Sequence, residues 1–284
     1  MRNWFTAVLL LSAMGLGGCS GHFRRDQVPV TGEATLEGAV SQLQAQAEAF
    51  KPTQINLMCK LSYWDEEGKW RNLTGFNMKL WVEPPYNLYL VGNAMPGPEG
   101  KIFMGANQQE FWLSIRPEIN TYWHGRWDDM PDVTNLELNP KVVLESLGLV
   151  EFAPHETWQL DNQRGVDVLT CTDVTSAQVT KRLFVDTRKY QLKKILYYDT
   201  LGQVAVVVDL ERYRVLDGKN SVPTGIRVGR YVQGELEGRV TFTLRESRLI
   251  KVTEKTRVRA FEPATPRGYD QIIPVTRFGA VPEQ

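Results

Sequence analysis

Three cysteines and three histidines are the side chains best suited to nucleophilic or metal chemistry in this chain of 284 residues. They are too few and too scattered for a zinc framework, in which Cys and His ligands recur at short fixed spacings. His124 and His155 have no partner at ligand spacing and read as surface or hydrogen-bonded histidines. A nucleophile elbow, a paired His-Glu zinc motif, a glycine-rich phosphate loop and a dinucleotide fingerprint are all missing. A carboxylate pair assembled only in three dimensions, as in glycosidases, would leave no such trace. The expectation is a protein that is not an enzyme and has no metal and no cofactor. Cys59 and Cys171 can form a disulfide in an oxidising compartment or stay as thiols. Cys59 falls on the apolar side of its segment, where a free buried cysteine is common.

Cys19 is the remaining reactive position, and its neighbours define its chemistry. Met1-Arg2-Asn3 precedes an apolar stretch from Trp4 to Leu16. That stretch is shorter than the ~20 residues a membrane-spanning helix needs, so it reads as a targeting segment. Leu16-Gly17-Gly18-Cys19 resembles the lipobox of bacterial lipoprotein signal peptides. The resemblance implies a diacylglycerol on the Cys19 sulfur, cleavage just before it and acylation of the new amino group. Each buried CH₂ of such an anchor contributes about 0.8 kcal/mol. A plain secretory signal with a coincidental cysteine is the alternative. Ser20 after the cysteine resembles outer-membrane-directed lipoproteins of enteric bacteria, and inner and outer membrane both stay open. The implied organisation is a signal peptide over 1–18 and a lipidated tether over 19–32.

The composition is 42% hydrophobic and 23% charged, enough apolar mass for a real core and unlike a disordered chain. Lys plus Arg and Asp plus Glu are 33 each, so no net field draws the protein to nucleic acid. After a polar stretch, a helix starts near Glu33, with Leu36, Val40, Leu43, Ala47 and Phe50 on one stripe. From Thr53 the period becomes two, and short strand signals recur at hairpin spacing, interrupted by Asp65 to Gly68, Pro84-Pro85 and Gly92 to Gly100. Asn139 as cap, Pro140 at the first helical position and Gly148 past the end frame a short apolar helix. Strands then resume from Thr157 to Leu244, with no helix-length patterns between them, so an antiparallel sheet fits better than parallel βαβ topology. The reading is a mainly β (α+β) fold, an open antiparallel half-barrel of about 11 strands covered by one or two helices. It forms one domain over 33–262, followed by a Pro-rich extended tail over 263–284, packed in part at most.

This order of elements resembles the LolA/LolB superfamily of periplasmic lipoprotein carriers and receptors. Asn72-Leu73-Thr74-Gly75-Phe76, continuing through Leu80-Trp81 to Leu88 and Leu90, is similar to that family's second and third strands. Asn93-Ala94-Met95-Pro96-Gly97 occupies the loop from which a LolB-type receptor projects a leucine, with Met95 in its place. Met130-Pro131 and the 139–148 helix resemble the mid-chain lid, and Phe184 to Asp186 with Tyr197 to Gly202 resemble the strand pair after it. The resemblance implies an unclosed sheet whose concave apolar face is covered by helices and receives acyl chains. The extra Pro and Gly in the loop and the longer chain depart from the family pattern.

Leu57, Phe76, Met78, Leu80, Leu90, Leu113 and Ile115 are the candidate cavity wall, or equally an ordinary sheet-on-helix core. Met78 and Met104 supply adaptable packing for different chains. Met95 is either an exposed tip that touches membrane or cargo, or a locally packed side chain. Trp112, Trp123 and Trp127 gate the cavity mouth or pack. Lys255, Arg257 and Arg259 alternate along one strand face, to meet headgroups or to guard a sheet edge. The functional expectation is a monomeric, membrane-anchored lipoprotein on the periplasmic side, binding acylated lipoproteins or lipids. An envelope scaffold with a filled core is the second reading, and an envelope hydrolase a distant third.

Overall fold

The computed structural model describes residues 31–64, 67–92, 102–116, 120–127, 139–216, 221–263, 265–276 and 279–280. Cys19 and Met95 lie outside them, as does the side chain of Ile115. The first element is α1 (Leu36–Ala49), and Thr35 caps it by accepting a hydrogen bond from the Gly38 N–H at 3.1 Å. Its polar residues Gln42, Gln44 and Glu48 face water, while Ala39 and Leu43 are buried.

Alternating sequence then builds an antiparallel meander of β1 (Thr53–Trp64), β2 (Trp70–Glu83), β3 (Asn87–Gly92), β4 (Ile102–Ala106), β5 (Glu110–Ile115) and β6 (Thr121–Arg126). In β1 the residues Ile55, Leu57, Cys59 and Leu61 are buried, and the residues between them lie at or near the surface. The short α2 (Pro140–Ser146) follows, with Asn139 accepting from the Lys141 N–H at 2.9 Å and Gly148 at φ +90 just beyond it. Both ends of this helix are where the capping residues predict.

A second meander runs through β7 (Glu156–Gln163), β8 (Val166–Asp173), β9 (Val179–Asp186), β10 (Gln191–Tyr198), β11 (Val204–Val215), β12 (Ser221–Val232) and β13 (Glu235–Leu249). The long β13 pairs antiparallel with β1, from Thr53 opposite Leu249 to Tyr63 opposite Gly238, and joins the two meanders into one sheet. The chain ends with α3 (Glu254–Phe261), β14 (Gln271–Thr276) and β15 (Gly279–Ala280). The strand order is β15-β14-β6-β5-β4-β3-β2-β1-β13-β12-β11-β10-β9-β8-β7, so the sheet is open, with β7 and β15 as its two edges.

The open, mostly antiparallel architecture agrees with the sequence reading, and its extent is larger: 15 strands and three helices among the described residues in place of about 11 strands and one or two helices. Two sequence readings change. Lys255, Arg257 and Arg259 lie on α3, not on a strand face. Thr253 caps that helix by accepting from the Thr256 N–H, and burial of Ala260 and Phe261 fixes it; three basic residues at odd positions imitate a period of two. The segment from 263, read as a tail, contributes β14, which pairs in parallel with β6 from Gln271 opposite Thr121 to Pro274 opposite His124.

This C-terminal segment covers the outer face of β4–β6. Trp112 lies across Gly105 so closely that a Cβ there would sit 2.2 Å from the indole, and only glycine allows the approach. Tyr122 stacks at 5.3 Å on Tyr269, over which the Arg116 guanidinium sits at 3.6 Å. Trp112 therefore belongs to an outer-face layer and does not gate the concave side, whereas Trp123 and Trp127 pack on the main core.

Candidate functional site

The concave face of the sheet is one continuous apolar surface. Leu57, Phe76, Met78, Leu80, Leu90 and Leu113 all belong to it and are at most 8% exposed. Their register explains why: Leu57 is opposite Met78, and Leu80, Leu90, Met104 and Leu113 form a cross-strand row from β2 to β5. Such same-face neighbours stand about 5 Å apart and merge into one patch. The other meander contributes Leu183, Val185, Ile195, Val208 and Phe242 to the same core.

Helix α2 roofs this patch. Val142, Val143 and Leu144 are buried, as is Leu147 just after it, and only Lys141 of its seven residues reaches the surface. The helix touches β4 on one side and bonds to β9 and β10 on the other. In the sheet order β10 is seven steps and β9 eight steps from β4, so the sheet must curl around α2 for both sides to reach a helix of two turns.

The bond to β9 is ionic, and the bond to β10 is a hydrogen bond to the same carboxylate. Lys181 Nζ lies 2.9 Å from Glu145 Oε1, with both side chains at most 5% exposed, and the Tyr197 hydroxyl donates to Oε2 of the same carboxylate. Burial raises the Glu145 pKa, but the charges of Lys181 and Lys141 and the bonds from Tyr197 and Lys181 hold it below the usual carboxylate value. Burial lowers the Lys181 pKa, and the Glu145 and Glu156 charges and the bond to Glu145 more than offset this, leaving it raised. The pair is thus fully ionised at neutral pH, while burial keeps the Tyr197 phenol neutral. Sequence reading missed this triad. The available signal was parity: Lys181 shares its strand face with the buried Leu183 and Val185, and Glu145 interrupts an apolar run.

Two further features bound the site. A cavity of about 210 Å³ opens between α1, the end of α2, the β9–β10 turn and the facing ends of β11 and β12. On the far side, buried Asp167 accepts hydrogen bonds from the Glu33 N–H at 2.8 Å, Asn162 Nδ2 at 2.9 Å and the Tyr190 hydroxyl at 3.2 Å. A Cβ on Gly32 would lie 1.7 Å from Asp167 Oδ1, so this clip requires glycine where the chain enters the domain.

Cys59 and Cys171 are both free and buried. Of the two sequence readings, the structure shows free thiols and no Cys59–Cys171 disulfide. Burial pushes the Cys59 thiol up to about 12 and the Cys171 thiol up to about 11, so both stay neutral. Among the described residues, no group of three or more His, Cys, Asp or Glu side chains is placed to hold a metal ion. No helix among them is long and apolar enough to cross a membrane.

Comparison of the backbone with solved structures places this architecture in a known class: it is the fold of LolA superfamily proteins. A LolA superfamily protein from Nitrosomonas europaea matches 76% of this chain and 96% of its own, with TM-score 0.51 and 13% identity. A DUF1329 family protein from Desulfovibrio piger matches 78% of this chain and 94% of its own, with TM-score 0.52 and 12% identity. A domain from Vibrio parahaemolyticus ascribed to outer-membrane lipoprotein sorting matches the same shares, with TM-score 0.51 and 10% identity. No protein-family model matches the chain, and no curated protein matches it in sequence. At these identities the likeness is one of fold.

Proposed function

We propose that this protein is a non-enzymatic, lipid-anchored carrier or receptor of the bacterial envelope that takes acyl chains of lipoproteins or lipids against its concave face. The observation that carries the reading is the apolar face roofed by a detachable-sized element: a helix of seven residues holding back a patch built from both meanders. Leu57, Phe76, Met78, Leu80, Leu90 and Leu113 form the binding wall, with Ile115 assigned to it from the sequence pattern, and Met95, between β3 and β4 in the chain, is assigned the role of meeting membrane or cargo. The signal peptide ends at residue 18, Cys19 carries the anchor, and residues 19–32 lead to the Asp167 clip. The destination is the outer membrane, on its periplasmic side, where lipoprotein sorting in the Vibrio relative's sense takes place.

Magnitudes make the exchange of helix for ligand feasible. Burying a ~16-carbon chain contributes roughly 12 kcal/mol before ordering costs. Docking the four aliphatic side chains Val142, Val143, Leu144 and Leu147 contributes ~1.5–3 kcal/mol each, a total of the same order. An acyl chain therefore replaces α2 without unfolding the sheet.

One observation favours the scaffold reading instead: the wall residues are packed to at most 8% exposure and the cavity beside α1 and α2, about 210 Å³, is smaller than the ~300 Å³ lower bound for drug-sized ligands, although an open hollow of about 540 Å³ reaches Leu57 and Met78. Titration with a fluorescent fatty acid separates the two. Saturable uptake that an acylated peptide displaces supports the carrier, and a flat titration supports the scaffold.

A further inference from the structure

The 210 Å³ cavity joins an apolar floor to a polar rim, and its chemistry is that of an amphiphile site. Its floor is apolar: Leu43 from α1, Phe50 just after it, Leu147 after α2 and Leu192 from β10 are each at most 7% exposed. At about 30 Å³ per water, its volume is about seven water-sized shares, which suits the first stretch of one acyl chain and excludes two side by side. Val215, 62% exposed, extends the apolar surface from the floor to solvent.

The rim presents amides, a hydroxyl and one charge. Gln46 donates to the Tyr190 carbonyl at 2.9 Å, and Gln191 donates to the Ser221 hydroxyl at 3.0 Å, so both amides are held in place. Among the described residues lining the cavity, Lys189 is the only charged one. Its backbone N–H bonds to Asp186, which fixes the turn, and no described carboxylate lies within ion-pair distance of its ammonium group. A second cation, Lys193, sits 5.6 Å from the ring of Tyr213, another lining residue. An apolar slot one chain wide, with an ammonium group at its lip, complements a molecule with one tail and one negative charge.

We propose that this cavity is the entry site for a long-chain fatty acid, with its carboxylate at Lys189 and its first methylenes on the Leu43–Leu147–Leu192 floor. The inference rests on the acyl-binding reading above and adds to it the headgroup charge and the point of entry. Tail-first passage beneath α1 leads from this floor towards α2, because Leu147 belongs to both the cavity and the segment that follows the helix.

The test is competition for a bound fluorescent fatty acid, using the full chain with Cys19→Ser, by palmitate and by hexadecanol. The two competitors share a tail and differ in charge. Palmitate is expected to compete about fivefold better, in line with a partly exposed ion pair, and 0.5 M salt should reduce that preference. Lys189→Gln should bring palmitate down to the level of hexadecanol without changing hexadecanol. Leu147→Trp, which fills the floor, should weaken both, with the fold checked by its thermal transition. Equal competition by the two molecules in the unaltered cavity would overturn the charge assignment and leave acyl binding standing. Undiminished binding in Leu147→Trp would overturn the location. Failure of either molecule to compete, with no probe bound at all, would overturn the acyl-binding reading itself.

Discussion

Helices α1 and α2 both cover the concave face, and they do so by opposite means. α1 is an amphipathic surface helix of 14 residues that buries Ala39 and Leu43 and keeps its glutamines in water. α2 is half as long, with six of its seven residues buried, and it carries an ion pair into the core. A helix held only by apolar contacts can slide along an apolar face, whereas Glu145 can meet Lys181 and Tyr197 in one position alone. A buried pair of this kind is poor evidence of stability, because desolvation offsets much of the attraction. It acts as a register lock, and α2 is the element that the carrier reading requires to have one seated position and to leave it as a unit.

Breaking the lock on one side should give the largest effect. Lys181→Met leaves the Glu145 carboxylate buried without its cation and is expected to cost about 3–5 kcal/mol in urea unfolding. The double variant Glu145→Leu, Lys181→Met should recover most of that loss, and failure to recover would mean that the pair stabilises outright. Next, Leu144→Ala should cost about 2–5 kcal/mol by opening a cavity under α2. The same variant should bind a fluorescent acyl probe more tightly, since the ligand then displaces less.

The pair also predicts an acid response specific to α2. The Glu145 pKa is lowered in the folded state, so its contribution is fully present above the ordinary glutamate value of about 4.3 and is lost as pH falls through the folded value. Unfolding followed from pH 7 to pH 3 should show this loss, and the double variant should show less of it. At the other end, the raised Tyr197 pKa means that its contribution is present below the ordinary tyrosine value of about 10 and fades above it. In the α1 region effects are smaller. Gly32→Ala should disturb the Asp167 clip and speed hydrogen exchange at Glu33 with little change at α2. Thr35→Ala should cost about 1 kcal/mol through loss of the cap.

The parts legible in the sequence were those written as local patterns. Asn139, Pro140 and Gly148 mark α2 because capping is a short-range requirement, and the alternation in β1 and β2 marks the concave wall residue by residue. What escaped was decided by distant partners. Lys181 and Glu145 are 36 positions apart, and neither shows its partner in the chain. Asp167 is buried by Glu33 and Tyr190, far from it in sequence. β14 is a strand because β6 offers it an edge, despite Pro274 within it. Trp112 turned to the outer face because its strand is covered on both sides, which period-two reading of one strand cannot reveal.

The claim on which the account depends is that an acyl chain enters this fold. Native mass spectrometry with lipid extraction, on the Cys19→Ser chain purified from the envelope of its own cell, tests it most directly. The account predicts protein carrying one acyl species per chain, released on extraction and identifiable by mass. A bare protein mass, unchanged after incubation with fatty acid, would contradict it and leave a scaffold built on the same fold.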